Sequence, residues 1–464
     1  MNGYKGDNRN KWIHRIGLSV SGLALIMGMV CSRETLTVRA ASEDNGAICE
    51  EDFLKAKGKN LHDQSGNGQV VNLRGVNAGG YLLQECWLTP TAETNDVRAE
   101  SDIYKILEMR FGQEKMYELL GIYQDNYWTE EDFGRVAELG ANCIRLPFWY
   151  RNLVDETGAF YPNAFERMDD FVETAGEYGL YVILDFHGAP GSQSGSDHSG
   201  VDGKNFKEKA SEFFFGKNAE ANQELFYTIW EEIAAHYEGN PVVAGYDLLN
   251  EPYCSYRYNS SHSEDELHSL LWQVYDQAYD RIRAIDEDHV IIMEAVWDPW
   301  DLPKPKDYGW ENIMYEYHNY LYDDYDNAGG GQIKNMENKL KNIAKSNYNV
   351  PCYMGEFSYF SKAQTWDEGL ELLNQYGINW TMWSYKSVSE YGNWGLYHHP
   401  SSLGEIDLMT ASYEEIKEFW GRMDECVSNE SLCQVVKKYC NYPTQEYNLS
   451  LWKLFLRKLQ GLFD

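Results

Sequence analysis

Two glutamates, Glu251 and Glu356, each close a short apolar run. The first run, Val242 to Leu249, ends in Asn250-Glu251-Pro252, and the second, Val350 to Gly355, ends in Glu356-Phe357. Runs of this length, rich in β-branched and aromatic residues, read as parallel strands covered on both faces. A carboxyl at the C-terminal end of each of two strands is the pair that cleavage of a glycosidic bond requires. One protonates the departing oxygen, and the other stabilises or attacks the anomeric carbon. On this reading Glu251 is the acid/base and Glu356 the nucleophile, with their carboxyl groups expected about 5–5.5 Å apart, the spacing of a retaining reaction.

Such a pair needs a scaffold that gathers strand ends. Eight strand-like stretches occur, at Val70–Asn77, Asn142–Pro147, Tyr181–His187, Val242–Asn250, His289–Val296, Ile313–His318, Val350–Glu356 and Ile378–Tyr385. Helical patterns alternate with them, among them Glu131–Leu139, Ala164–Tyr178, Glu220–Tyr237, Glu264–Ile285, Ile333–Ala344 and Thr365–Tyr376. Thr129, with Asp132 three residues on, starts the first of these as a capping box. Eight β-then-α units predict an α/β fold, a (β/α)8 TIM barrel forming a single catalytic domain, whose functional groups sit at the C-terminal strand ends. The same ends bring in Arg145, a fixed cation able to hold a carboxylate in place, then His187, His318, Tyr320 and Trp383, whose ring could floor a sugar subsite.

Composition narrows the function classes. Aromatics reach 15% of the 464 residues, with 15 Trp and 35 Tyr, an excess suited to stacking on sugar faces. The net charge is -33 and becomes about -37 without residues 1–40, which repels phosphate backbones, so no nucleic-acid partner is expected. Lys5, Arg9, Lys11 and Arg15 precede the apolar run Ile16–Val30, and small residues follow at Val38–Ala41, so residues 1–41 are expected to be an export signal and the protein to be secreted.

The catalytic domain is then expected over 42–445. Cys143 and Cys352 fall inside strands and read as buried thiols, whereas Cys426, Cys433 and Cys440 read as loop-borne. Neither a zinc spacing nor an EF-hand spacing occurs, the acidic run Asp323, Asp324 and Asp326 included, so no metal and no cofactor is expected. Residues 446–464 alternate apolar and basic side chains and are expected to form an amphipathic helix packed on the barrel, with no membrane association and a monomeric protein.

These residues resemble glycoside hydrolase family 5, the retaining glycosidases of the clan A (β/α)8 type, in which Arg145, His187, Asn250-Glu251, His318-x-Tyr320, Glu356 and Trp383 match the motifs in order. Within it the sequence is most similar to the exo-β-1,3-glucanases, through the stretch from Arg74-Gly75-Val76-Asn77 to Pro90 and the loop His187-Gly188-Ala189-Pro190-Gly191-Ser192-Gln193. The resemblance implies that Asn250 holds the sugar 2-hydroxyl, that Tyr320 contacts the nucleophile, and that Glu85 binds hydroxyls of the terminal sugar. Tyr81 stands where a Trp is usual and Cys86 where a Pro is usual, which leaves the linkage open. The expected activity is that of a retaining exo-β-1,3-glucanase or β-glucosidase acting on β-glucan or β-glucoside. The alternatives are an endo-β-1,4-glucanase, a β-glucosidase of glycolipids or plant glycosides, and an inactive carbohydrate-binding barrel.

Overall fold

The structure, a computed structural model, describes residues 46–201, 211–252, 262–328, 330–360, 362–388 and 394–460. The expected export signal, Cys31 and Cys254 lie outside the described residues. Eight parallel strands close a barrel: β1 (Arg74–Asn77), β2 (Cys143–Trp149), β3 (Tyr181–Gly188), β4 (Val243–Asp247), β5 (Val290–Glu294), β6 (Ile313–Asn319), β7 (Cys352–Phe357) and β8 (Asn379–Met382), with β8 pairing back onto β1. Every residue of β2 and β3 is buried, as strands with helices outside and a filled barrel inside must be. The TIM barrel read from the sequence is therefore the fold.

Most of the helices between strands are amphipathic and lay their apolar stripes on the barrel. They are α1 (Glu100–Phe111), α2 (Gln113–Tyr127), α3 (Glu130–Glu138), α4 (Glu166–Glu177), α5 (Ala219–Tyr237), α6 (Glu264–Arg283), α7 (Gly331–Ser346) and α8 (Ala363–Gln375). The Asp132 carboxylate accepts the Thr129 backbone N–H at 2.8 Å, which caps α3 as its sequence pattern predicts. Between β5 and β6 the alternation lapses, because only a four-residue turn of helix, Pro305–Tyr308, connects them. After β8 come α9 (Tyr413–Trp420), α10 (Glu430–Cys440), which packs on α8, and α11 (Leu451–Gln460).

The expected first strand is divided. Val70–Val71 pairs antiparallel with Asn60–His62, which pairs with Lys55–Lys57, and only Arg74–Asn77 enters the barrel. The break lies at Asn72, whose amide is tied to Gln445 on both sides. This small sheet plugs the N-terminal end of the barrel, where Leu54, Leu61 and Leu73 pack on Cys143, Tyr181, Val290 and Met314. The Arg74 guanidinium, nearly buried, donates to the carbonyls of Cys440, Tyr442 and Pro443, so it secures the C-terminal segment against the same end.

The seven described cysteines are free, and Cys143 and Cys352 are buried as expected. Cys433 and Cys440 are not on loops, however. They lie on α10, whose inward stripe of Leu432, Val436, Tyr439 and Cys440 supplies a helical period. Asp324 caps the start of α7 by accepting the backbone N–H groups of Ala328 and Gly331. The tail does form a helix, but it rests on the body through Leu449, Leu454 and an Arg457–Gln375 hydrogen bond. Trp452 and Phe455 stay 64% and 51% exposed, so the apolar face is not packed as expected. One buried residue, Leu454, is too little to turn the wider apolar arc inward.

Candidate active site

Eight of the nine residues singled out from the sequence lie at the C-terminal end of the barrel or in the loops that leave it, and the ninth, Arg145, lies inside β2. Arg145, in the middle of β2, is fully buried, and its guanidinium organises the floor. It donates to Glu356 Oε1 at 2.9 Å, to Asn250 Oδ1 at 2.9 Å, to Asp247 Oδ2 at 2.8 Å and to Asn77 Oδ1 at 3.2 Å, and it lies 3.0 Å from Asp185. A planar fork of five N–H donors suits such a hub where a lysine would not.

Glu356 is held on both oxygens, by Arg145 and by the Tyr320 hydroxyl, which donates to Oε2 at 2.9 Å. Its direction comes from an irregularity in the ladder. β7 follows β6 in register as far as Met354 opposite Tyr317, then Gly355 is passed over and Glu356 faces His318. A β-bulge of this kind re-aims a side chain at a strand end. A Cβ at Gly355 would stand 1.5 Å from Glu316 Oε1, so a side chain there would force that buried carboxyl to move.

Glu251 follows β4 with a φ of 37°, a left-handed backbone that a glutamate adopts only when its surroundings impose it. Its backbone N–H donates to Glu294 Oε2 at 2.5 Å. Its carboxylate meets His318 Nδ1 at 3.0 Å, and the same ring nitrogen is 3.5 Å from Glu356. Carboxylate oxygens of Glu251 and Glu356 thus come within 4.8 Å of each other, with His318 between them. Glu251, His318 and Glu356 are close enough to share a cation, yet Glu356 already spends both oxygens on Arg145 and Tyr320, which suits an acid pair better than a metal centre.

His187 is stacked on Trp383 with ring centroids 5.4 Å apart, and its Nδ1 is 2.6 Å from Asp185. Asn250 Nδ2 stands 3.4 Å from both His187 and His198, which points its amide into the cleft. Burial pushes the His187 imidazole down to about 4, and burial pushes His318 well below the usual range against the opposing pull of Glu356, so both rings are neutral at neutral pH.

Glu85 lies in the loop after β1, 4% exposed, and accepts the indole N–H of Trp87 at 2.8 Å. It does not brace Arg74, which is engaged at the far end of the barrel. Burial, then the charge of Asp197, holds the Glu85 carboxyl well above the usual carboxylate range, and Glu356 and Glu251 add to this. Trp87 meets Trp394, and Trp394 meets Tyr320 and Phe360, so aromatic rings line this side of the mouth.

The sequence reading missed the layer beneath. Asp185, Asp247 and Glu316 are fully buried carboxyls around one guanidinium, and Glu294 is a fourth buried carboxyl, set against the Glu251 backbone and His318. Burial raises Asp185 to about 7 and Asp247 to about 6 despite Arg145, and raises Glu294 and Glu316 well above the usual range. Two of them carried a signal. Asp185-x-His187 and Glu316-x-His318 place an acid two residues before a histidine on a strand, hence on the same face.

Residues 109–389 match the family described as cellulase, glycosyl hydrolase family 5, and the chain belongs to that family. It is a glycoside hydrolase. A β-xylosidase of Phanerodontia chrysosporium is 26% identical over 440 residues, covering 87% of this chain and 86% of that protein. The sporulation-specific glucan 1,3-β-glucosidase of Saccharomyces cerevisiae is 29% identical over 272 residues, and the glucan 1,3-β-glucosidase of Lachancea kluyveri 28% over 300. These matches cover 57% and 62% of those two relatives, and 55% and 62% of this chain. Among solved structures, an endogalactoceramidase superposes with a TM-score of 0.56 at 17% identity over 83% of this chain and 84% of its own. A rutinosidase from Aspergillus niger gives 0.56 at 16% identity over 75% and 98%, and both share the fold.

Proposed function

We propose that the protein is a secreted, retaining β-glucoside hydrolase of the exo-β-1,3-glucanase or β-glucosidase type, monomeric and without a cofactor. The observation that carries this reading is the pair Glu251 and Glu356, whose carboxylate oxygens come within 4.8 Å across His318. That separation supports direct attack, since an inverting pair would need room for a water between carboxyls about 6.5–9.5 Å apart. Glu356, aimed by Arg145 and Tyr320, attacks the anomeric carbon while Glu251 protonates the departing oxygen. Glu251 then takes a proton from the water that releases the sugar from its ester with Glu356. Asn250 donates to the 2-hydroxyl of the sugar. Trp383, backed by His187, forms the floor beneath it.

The exo reading is supported by Glu85 and Trp87, a hydrogen-bonded pair in the loop after β1 that offers a buried carboxyl to the hydroxyls of a terminal sugar. A second reading, a β-xylosidase, is favoured by a relative that matches 87% of the chain. The two sugars differ in the 6-hydroxymethyl group, the part that a wall at Glu85 would contact. Rates on aryl β-glucoside, aryl β-xyloside, laminarin and carboxymethylcellulose decide between these. Glucose as the sole early product from laminarin is expected. A ladder of oligosaccharides would refute exo action, and a preference for the xyloside would replace the glucosidase reading.

A further inference from the structure

Helix α11 is built against the grain of the surface it sits on. Among the described residues ten large hydrophobic side chains are exposed, and Leu451, Trp452, Phe455, Leu456 and Leu459 are half of them. At about 100° per residue these five positions fall on one arc of roughly 140°. Leu454, on the side facing the body, is the residue that docks. The stretch 447–460 holds Lys453, Arg457 and Lys458 and no acidic residue, in a chain whose net charge is -33. An apolar stripe of this size on an exposed, acid-free, basic helix marks an interaction face.

We propose that α11 is an interfacial helix that seats the enzyme on an anionic lipid bilayer, with the Trp452, Phe455, Leu456 and Leu459 face entering the boundary between headgroups and acyl chains. The charge is complementary there: the chain as a whole is strongly acidic and is repelled by such a bilayer, while the acid-free stretch 447–460 carries only basic charge. A second copy of the chain fits less well. The five exposed side chains offer about 500 Å² of apolar surface, short of the roughly 800 Å² per partner of a stable interface. A bilayer needs no complementary pocket and accepts a helix whose apolar and basic faces are opposed. The expectation against membrane association rested on an inward apolar face, which the fold does not provide.

Vesicle flotation of the mature chain, beginning at Ser42, tests this. Binding is expected to phosphatidylcholine vesicles containing about a third phosphatidylglycerol, and to weaken by about tenfold or more with pure phosphatidylcholine or in high salt. Trp452→Ser with Phe455→Ser should lower binding at least about tenfold with an unchanged thermal midpoint, both side chains being exposed. Lys453→Glu should weaken only the anionic-vesicle binding. Failure of the wild-type chain to float with anionic vesicles would overturn the proposal, as would equal flotation of the double variant. So would a dimer in sedimentation that the double variant dissociates while vesicles leave the wild-type chain in solution, since the face would then belong to a second copy.

Discussion

Glu294 is the residue whose removal tests the acid/base assignment most directly, because it touches only the backbone of Glu251 and the ring that faces it. Its Oε2 accepts the Glu251 N–H at 2.5 Å, and Oε1 stands 3.3 Å from His318 Nδ1. In Glu294→Ala that N–H loses its acceptor, and the left-handed conformation of Glu251 loses what imposes it. An unsatisfied polar group of this kind costs about 1–3 kcal/mol, which converts to about a 5- to 150-fold loss of rate if it is felt in the transition state. The leaving group locates the loss. The assay is kcat/KM, which reports the first chemical step, on an alkyl glycoside and on a dinitrophenyl glycoside. The alkyl compound needs a proton from Glu251 and should show the full loss. The dinitrophenolate leaves unassisted and should stay within about threefold. Glu294→Gln keeps an acceptor of the same shape and should retain most activity on both. An equal fall on both substrates, or no fall on either, would refute the claim that Glu294 acts by positioning an acid.

Two further outcomes follow from the same site and its surroundings. Glu356→Gln should abolish turnover on every substrate, whereas Glu251→Gln should spare the first step for activated aryl glycosides, seen as a burst of released phenol; matching losses in the two variants would contradict the roles. Stability should fall as pH rises from about 6.5 to 8.5. Burial raises Glu100 to about 8 and Asp185 to about 7 in the folded chain, above their unfolded values, so the native state holds the extra protons and loses stability as pH climbs through those values. His187 and His399, lowered to about 4, act in the opposite sense, but only as pH drops below about 6.5, where the unfolded chain binds the proton first. Glu100→Gln should flatten the alkaline slope by up to about 1.4 kcal/mol per pH unit, and a thermal midpoint constant from pH 6.5 to 8.5 would contradict this account.

The barrel was legible because strands such as β3, β4 and β5 are apolar runs that stop at a polar residue, so several strand ends that gather the site were marked by the same signal as the fold. Arg145 stood out as a cation inside such a run, where nothing but a functional or structural partner tolerates it. The four buried acids were harder. Asp247 and Glu294 sit at the ends of apolar strands with no neighbouring cation in sequence, and the guanidinium that Asp247 meets comes from β2, 102 residues away. The N-terminal plug went unread because its strands have only two or three residues each, too few to show a period. No element was read between Pro90 and Thr129, where α1 and α2 mix charged and aromatic residues around the helix. For α11 the pattern revealed that one face is apolar, and only the fold could say which way that face looks.

The bulge at Gly355 has a bearing on how such a site can be altered or copied. Side chains along a strand alternate, so a reader counting from Met354 assigns Glu356 to the same side; the extra residue changes the count by one and turns the carboxylate toward His318. The direction of the Glu356 carboxylate is therefore set by the slip in register. Straightening the ladder without shortening it, so that residue 355 paired with His318, would leave the hydrophobic pattern of β7 intact and return Glu356 to the side of Met354, out of the cleft. Adding a side chain at 355 would force Glu316 to move. Copying the sequence Met354-Gly355-Glu356 onto a regular eight-stranded ladder would require carrying the slip along with it, together with a glycine whose contribution is the absence of a side chain.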